Sequence, residues 1–135
     1  MDEIDKSILE FLKENSRISY TEIAKRLNLS EASIRRRVKK LVEKGIIRKF
    51  TIEIGQGANA ITLVSVNPTT TTSEVAEKLK RIKGVKTVYE ITGEYDIATI
   101  LSAESIAEIN KCIDEIRKTE GIINTNTIIV LRTIL

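Results

Sequence analysis

The chain has 135 residues, of which 41% are hydrophobic and 30% charged, so it can bury a core as one domain or as two small ones. Its one cysteine excludes a disulfide framework within the chain, and the absence of histidine removes the commonest metal ligand and the usual general base near neutral pH. We therefore expect a non-enzyme without a metal or other cofactor, and, since no signal peptide or long apolar run is present, a cytoplasmic protein without membrane contact.

The charge is unevenly distributed along the chain. Residues 1–50 hold 13 Lys/Arg and 8 Asp/Glu, whereas residues 51–135 hold 9 and 11. A basic first half joined to a slightly acidic second half predicts that only the first half meets a polyanion. The two halves are therefore expected to have different functions.

The first half begins with two predicted helices. Apolar residues at helical spacing place the first helix over Asp2 to Glu14. Ser19 and Glu22 have the spacing of a capping box, with the serine as N-cap and the glutamate side chain folding back. After the short second helix, Asn28 can take a left-handed conformation and Ser30 can cap the next helix. Helices joined by so short a turn form a helix-turn-helix or a plain helical hairpin.

The third predicted helix, Ser30 to Glu43, is amphipathic and basic. Four apolar residues at i, i+4, i+7 and i+8 form a stripe that must be buried. Ser33, Arg36 and Lys40 point away from this stripe, which suits a DNA major groove with phosphates beside it. A solvated basic face without a partner is the alternative, but the preceding helix and turn favour DNA binding. The stripe consists of Ile34, Val38, Leu41 and Val42, and the flanking cations are Arg35, Arg37 and Lys39.

A strand is predicted over residues 46–54, after Gly45, which fits a C-cap position. Arg48 and Lys49 lie where a wing would contact the DNA backbone beside the groove. Residues 1–54 are therefore predicted to form a winged helix-turn-helix that binds double-stranded DNA. Its predicted DNA-binding residues are Ser19, Tyr20, Thr21, Ser30, Ala32, Ser33, Arg35, Arg36, Arg37, Lys39, Lys40, Arg48 and Lys49.

The run from Ile4 to Phe50 resembles a known family over its whole length. Its central part reads S-Y-T-E-I-A-K-R-L-N-L-S-E-A-S-I-R-R-R-V-K-K-L-V-E-K-G. The run is similar, without a gap, to the N-terminal domain of the leucine-responsive regulator/AsnC (Lrp/AsnC) transcription factors, particularly the short archaeal members. The resemblance implies a sequence-specific transcriptional regulator of amino-acid metabolism.

A short glycine-containing segment, residues 55–60, joins the two halves. Its sequence G-Q-G-A-N-A matches the G-x-G-x-x-A of a dinucleotide-binding loop. Such a loop must open a helix whose N-terminus holds the pyrophosphate, but residues 61–66 predict a strand. The segment is therefore interpreted as a flexible linker and not as a cofactor site.

Residues 61–135 predict an α+β domain with the order β-α-β-β-α-β. Capping boxes open both helices, at Thr71 and Ser105, and two similar runs, R-I-K-G-V-K-T-V and K-T-E-G-I-I-N-T, form a weak internal repeat. Two such halves make a ferredoxin-like sandwich with both helices on one face of the sheet. Because apolar residues occur on both sides of the strands, a second copy is expected to cover the other face. The expected strands are 61–66, 85–92, 97–102 and 122–135.

This second half resembles the effector-binding and assembly domain of the same family. The resemblance implies a homodimer that assembles further, commonly to an octamer, with an amino acid bound between dimers. By their chemistry, Glu94, Asp96 or Asp114 could hold an α-ammonium group, and the N–H of Gly93 with threonine hydroxyls could hold the carboxylate. Without the family, a polar turn with ordinary edge residues is the alternative. The predicted effector-binding residues are Glu90, Ile91, Thr92, Gly93, Glu94, Tyr95, Asp96, Asn110, Asp114, Thr125, Asn126 and Thr127.

Two other functions stay open at this point. Sirohaem decarboxylases resemble this family and also have two-part chains, but they rely on histidines near the tetrapyrrole, and this chain has none. An architectural DNA binder without an effector would have the same N-terminal half. The lone Cys112 is expected to be a packed thiol beside an apolar stripe.

Overall fold

The computed structural model describes residues 1–134 and divides into two compact units after Ile54. The N-terminal unit is helical, and the C-terminal unit, which begins at Gly55, combines a sheet with two helices. Each unit has its own cluster of buried apolar residues. Within residues 1–134, no helix has the length and apolar character needed to span a membrane.

Three helices form the N-terminal unit: α1 (Glu3–Glu14), α2 (Tyr20–Leu27) and α3 (Glu31–Glu43). Before each helix, a side-chain oxygen accepts a hydrogen bond from a backbone N–H three residues later, which satisfies one of the free donors of the first turn. The turn between α2 and α3 contains Asn28 with φ of 55°, as predicted. The predicted helices are thereby confirmed. Their capping residues are Asp2, Ser19 and Ser30.

The capping box predicted for α2 forms only in part. The backbone N–H of Glu22 donates to Ser19 Oγ at 3.0 Å, as expected. The Glu22 carboxylate does not fold back, however, because it accepts from Nε of Arg26 at 3.1 Å, one turn further along the helix. Such an ion pair between residues one turn apart stabilises an exposed helix by about 0.2–0.5 kcal/mol.

The core of the N-terminal unit confirms most of the predicted α3 stripe. Ile34 is fully buried and Val38 nearly so, against the apolar sides of α1 and α2, and Leu41 is also buried. Val42, which was expected to complete the stripe, is 44% exposed. Val42 lies at the edge of the stripe, about 80° around the helix from Ile34, and so falls outside the contact with the neighbouring helices.

The segment after α3 departs most from the prediction. α3 ends in a Schellman arrangement, in which Gly45 has φ of 74° and the N–H of Ile46 donates to the carbonyl of Leu41 at 2.9 Å. The prediction of a strand over residues 46–54 is wrong, because residues 46–57 form no strand in the structure. A strand needs a neighbouring strand for its hydrogen bonds, and the described chain places none beside this segment. Its exposed apolar side chains are Ile46, Phe50, Ile52 and Ile54.

The C-terminal unit confirms the predicted β-α-β-β-α-β order. Its strands form one antiparallel sheet in the order β2-β3-β1-β4, as a ferredoxin-like fold requires. β1 starts three residues before its predicted start and so takes part of the predicted linker 55–60, while β2 and β4 end earlier than expected. The elements are β1 (Ala58–Val66), α4 (Thr72–Lys80), β2 (Val85–Glu90), β3 (Ile97–Ala103), α5 (Ile106–Arg117) and β4 (Ile122–Ile129).

Both helices pack on the same face of the sheet. Thr71 and Ser105 cap them through the N–H groups of Glu74 and Glu108, which confirms the two predicted helix starts. Alternate residues of β1 and β3 point toward the helices and are buried, because side chains alternate between the faces of a strand. Those packed between sheet and helices are Ala60, Val64, Val66, Val75, Leu79, Ile97, Leu101, Ile109, Cys112 and Ile116.

The opposite face of the sheet is apolar but only partly covered. Leu63 of β1 opposes Ala98 of β3, and Ile61 opposes Ile100 on one side and Ile128 on the other. Ile128 is 48% exposed, and the side chains on β1 are half-buried. This open face therefore presents a continuous apolar surface across at least three strands.

Candidate DNA-binding and effector sites

The outer face of α3 carries a row of cations at helical spacing. Arg36 and Lys40 are exposed, as predicted, and Lys44 continues the row one turn later. With the half-buried Ser33, they line a cleft of about 380 Å³ in the N-terminal unit. Lys44 was not among the predicted DNA-binding residues because it lies just beyond the predicted helix, although its spacing of four from Lys40 is a usable signal. Cations in such a row can contact successive phosphates of DNA. Within the row, Arg36 follows Ser33 at a spacing of three residues.

Arg37 was predicted to bind DNA, but in the structure its guanidinium has partners within the protein. Its Nη1 donates to Oδ2 of Asp2 at 2.7 Å and to Oδ1 of Asp5 at 3.1 Å, and its side chain is 28% exposed. Hydrogen bonding to Arg37 lowers the pKa of the Asp2 carboxyl, and the bonds to Asp2 and Asp5 raise the pKa of the guanidinium. Arg37 therefore connects α3 to the start of α1.

Arg35 also has partners within the protein. Its guanidinium pairs with the Glu31 carboxylate one turn earlier on α3 and lies 5.3 Å from the ring centre of Tyr20 on α2. Arg35 and Tyr20 were both predicted to bind DNA, and the structure brings them together at the junction of the two helices. Their contact supports the angle between α2 and α3.

The other predicted DNA-binding residues fall into two groups. Ser19 and Ser30 are N-caps, and each hydroxyl already accepts a backbone hydrogen bond. The remainder are exposed on α2, on α3 or in the segment after α3: Thr21, Ala32, Lys39, Arg48 and Lys49. The structure therefore gathers an exposed set on α3 and leaves Arg48 and Lys49 on a segment without strand structure.

Among the predicted effector residues, Asp96 holds the loop between β2 and β3 in place. Its carboxylate Oδ2 accepts from the N–H of Val66 at 2.7 Å, at the point where the pairing of β1 with β4 shifts register. Its own N–H donates to the carbonyl of Val64, and its carbonyl accepts from Ile91. One carboxylate oxygen of Asp96 therefore already has a partner in the fold, whereas Glu94 and Gly93 are exposed on the same loop.

The remaining effector candidates do not form one group. Glu90 accepts from Ser73 Oγ of α4 at 3.0 Å, and Thr127 shares a hydrogen bond of 3.0 Å with the buried Thr62. Thr125 points to the same face as Thr127, but Asn126 lies between them and points to the opposite face. The exposed candidates of the loop and of α5 are Ile91, Thr92, Gly93, Glu94, Asn110 and Asp114, and Tyr95 is half-buried.

The titratable side chains offer no alternative centre within residues 1–134. No group of three or more His, Cys, Asp or Glu residues there is arranged to hold a metal ion. Cys112 is buried in the core of the C-terminal unit, as expected, and desolvation raises its pKa, with a further contribution from the charge of Glu115. A raised pKa disfavours the thiolate, so Cys112 is a packing residue.

Comparison with known proteins identifies both units. A family described as winged helix-turn-helix DNA-binding matches residues 1–48, and one described as Lrp/AsnC ligand binding domain matches residues 59–135. The HTH-type transcriptional regulator LysM of Saccharolobus solfataricus is 48% identical over 98% of this chain and 95% of its own length. LysM of Sulfurisphaera tokodaii is 47% identical over 98% and 96%. The solved structure of E. coli AsnC is 28% identical, with a TM-score of 0.81 over 100% of this chain and 95% of that one.

Proposed function

The chain belongs to the Lrp/AsnC family of DNA-binding transcriptional regulators, and we propose that it recognises a specific DNA sequence as a homo-oligomer whose assembly responds to an amino acid. In this proposal, residues 1–54 bind DNA, and the sheet domain from β1 to β4 binds the effector and assembles the oligomer. Relatives that are transcriptional regulators favour this function over an enzyme.

The row formed by Ser33, Arg36, Lys40 and Lys44 is the observation that carries the DNA-binding proposal. Arg36 lies nearly opposite the buried Ile34, and Ser33, Lys40 and Lys44 follow on one side of the helix, so the packing of α3 determines where the cations point. In a major groove, side chains near the N-terminus of a recognition helix meet base edges, and cations further along meet phosphates. We therefore assign base reading to Ser33 and Arg36 and phosphate binding to Lys40 and Lys44.

The open face of the sheet supports the proposed homodimer. Ile61, Leu63 and Ile128 form an apolar surface that the described chain does not cover, and a second sheet of the same kind would bury it through a two-fold axis. A dimer can place two recognition helices in successive major grooves about 34 Å apart. The association of dimers to an octamer is proposed from the family resemblance.

The amino-acid effector is proposed from the ligand-binding family match and from residues that the fold leaves available. Glu94 or Asp114 would hold the α-ammonium group, with Asn110 and the N–H of Gly93 as further polar partners. Binding between dimers would favour one assembly state over another and so change the spacing of recognition helices. This mechanism would link an amino-acid concentration to the occupancy of a promoter.

The DNA-binding proposal is tested by selecting duplexes from a random-sequence library on the full-length protein. The recovered duplex is then titrated at several salt concentrations beside a scrambled duplex of the same length. We expect the selected duplex to bind at least about 10³ times more tightly than the scrambled one, with affinity that falls steeply with salt. Failure to bind any duplex at low ionic strength would overturn the proposal.

The effector proposal is tested by thermal unfolding with each of the twenty amino acids. An amino acid present at about 100 times its dissociation constant should stabilise the protein by about 2.7 kcal/mol. The Asp114→Ala variant should keep the unfolding temperature of the free protein and lose the ligand-induced shift. If no amino acid shifts the transition, the protein is an effector-independent DNA binder. A shift that Asp114→Ala retains would exclude Asp114 from the site.

A further inference from the structure

A second concentration of positive charge lies in the C-terminal unit. Five cations occur within nine residues of the run K-L-K-R-I-K-G-V-K, and no Asp or Glu occurs between Lys78 and Tyr89. Outside these five residues, the stretch 55–135 holds four Lys/Arg and ten Asp/Glu, so the surrounding unit is acidic. The cations, called here the basic cluster, are Lys78, Lys80, Arg81, Lys83 and Lys86.

The fold places the basic cluster at one corner of the sheet. It covers the last turn of α4, the connection that follows and the start of β2, which is an edge strand. All five side chains are exposed. Lys80 Nζ donates to the carbonyl of Lys86 at 3.4 Å, so the end of α4 and the start of β2 lie side by side. The cluster is therefore one local surface and not a stretch of separate charges.

Within residues 1–134, none of the five cations has a carboxylate within 4.0 Å. Glu74 and Glu77 lie one turn before Lys78 and Arg81. Lys83 and Lys86 have no acidic residue within three positions in the sequence.

On α5, by contrast, Lys111 pairs with Glu108 at 3.6 Å, and Lys118, the residue after the helix, pairs with Glu115 at 3.7 Å. Within residues 1–134, Arg117 of α5 has no carboxylate within 4.0 Å, so α5 carries one unpaired cation where the basic cluster has five. Unbalanced like charges repel one another, so the cluster costs stability unless an anion compensates it.

The helix dipole accounts for only part of the cluster. Lys78 and Lys80 lie in the last turn of α4, where cations interact favourably with the partial negative charge of the helix end. Lys83 and Lys86 lie beyond the helix, in the connection and on β2, and gain little from it because the effect is confined to the last turn. The helix dipole therefore leaves Lys83 and Lys86 without a compensating charge.

We propose that the basic cluster is a second DNA-contacting surface, which binds phosphates of the duplex outside the sequence that α3 recognises. Four of the five cations are lysines, whose flexible ammonium groups suit contacts with successive phosphates. A carboxylate surface on a second copy of the chain is the competing partner, but lysine is depleted in protein interfaces. The polyanion that this family of regulators binds is DNA, so the compensating charge is already part of the complex.

The test compares a short and a long duplex. The short duplex is a core of about 20 base pairs recovered by selection on the full-length protein, and the long one adds about 20 random base pairs on each side. The native protein should bind the long duplex at least about tenfold more tightly at low salt, with a steeper salt dependence. A variant with Lys80→Gln, Lys83→Gln and Lys86→Gln should lose this preference and reduce the salt slope on the long duplex by about 2 to 3 for each protomer that contacts a flank.

A matched control separates local contact from overall charge. Lys111→Gln, Lys118→Gln and Arg132→Gln remove the same charge from elsewhere in the C-terminal unit and should leave the preference for the long duplex intact. The proposal would be overturned if both triple variants lost the preference for the long duplex equally, or if the cluster variant kept that preference. A cluster variant that changes the sedimentation of the free protein would assign the cluster to subunit contact instead. Binding of the short duplex tests α3 alone, so failure of recognition by α3 is distinguishable from failure of the second surface.

Discussion

The two candidate sites differ in how many elements build them. Three residues of the proposed DNA-binding row lie on α3 and Lys44 follows directly after it, so the geometry of the row depends on how α3 is held by Ile34 and its buried neighbours. The effector candidates come from a loop, from α5 and from β4, and several of their polar atoms already hold the fold together, as in Asp96 and Thr127. A site on one helix requires one packing arrangement, whereas a distributed site requires several elements to be placed at once.

The largest expected effect comes from removing the packing that orients the DNA-binding row. Ile34→Ala leaves a cavity beneath α3 and should lower the free energy of unfolding of the N-terminal unit by about 2–5 kcal/mol. Chemical denaturation followed by circular dichroism would measure the loss. Val42→Ala on the same helix, at an exposed position, should cost less than about 0.5 kcal/mol. Similar losses for the two variants would show that the stripe does not hold the helix.

Asp96 tests whether a predicted ligand residue instead supports the fold. Asp96→Ala leaves the N–H of Val66 without its acceptor and should destabilise the C-terminal unit by about 1.5–3 kcal/mol in the absence of any amino acid. Glu94→Ala, two residues earlier in the same loop and exposed, should cost less than about 0.5 kcal/mol. Unfolding both variants in urea would measure the two losses. Unchanged stability of Asp96→Ala would show that Asp96 does not support the fold and would weaken the contrast between the sites.

The division of roles along α3 can be measured with two single variants. Arg36→Ala should weaken binding of the selected duplex by about 1–3 kcal/mol and reduce discrimination against the scrambled one. Lys40→Ala should weaken binding of both duplexes about equally and lower the salt slope by about 1. Fluorescence anisotropy across a salt series gives both quantities. If both variants weaken both duplexes equally, the assignment of base reading to Arg36 is wrong.

The difference between a site on one helix and a site built from several elements also explains what could be predicted from the sequence. The position of the cation row follows from helical periodicity around Ile34, and caps such as Ser30 fix where the helix begins, so local patterns were sufficient. The strand expected after Gly45 depended on a partner strand, which no local pattern supplies. The structural role of Asp96 could not be predicted either, because its carboxylate accepts a hydrogen bond from Val66, thirty residues away, where the pairing of β1 with β4 shifts register.

Ion pairs show a further limit of local patterns. Arg37 follows Arg36 in the sequence and has the same charge, but the fold gives it two carboxylate partners on α1. Helical spacing placed Arg37 beside the buried stripe, and only the packing of α1 against α3 determines which charges meet it there. The charge of a side chain therefore does not by itself show whether its partner lies inside the protein.

The smallest expected effect concerns this link between α1 and α3. The pKa of Asp2 is lowered by its bond to Arg37, so its contribution to stability should be complete above the ordinary carboxyl pKa and should disappear as pH falls through the lowered value in the folded protein. Asp2→Asn keeps an oxygen that can cap α1 but lacks the charge. The melting temperatures of the native protein and this variant should differ slightly at neutral pH and converge in acid. Because Asp2 is exposed and Asp5 still pairs with Arg37, the difference should also shrink with added salt. A gap that persists at low pH would mean that Asp2 stabilises α1 through its geometry and not through its charge.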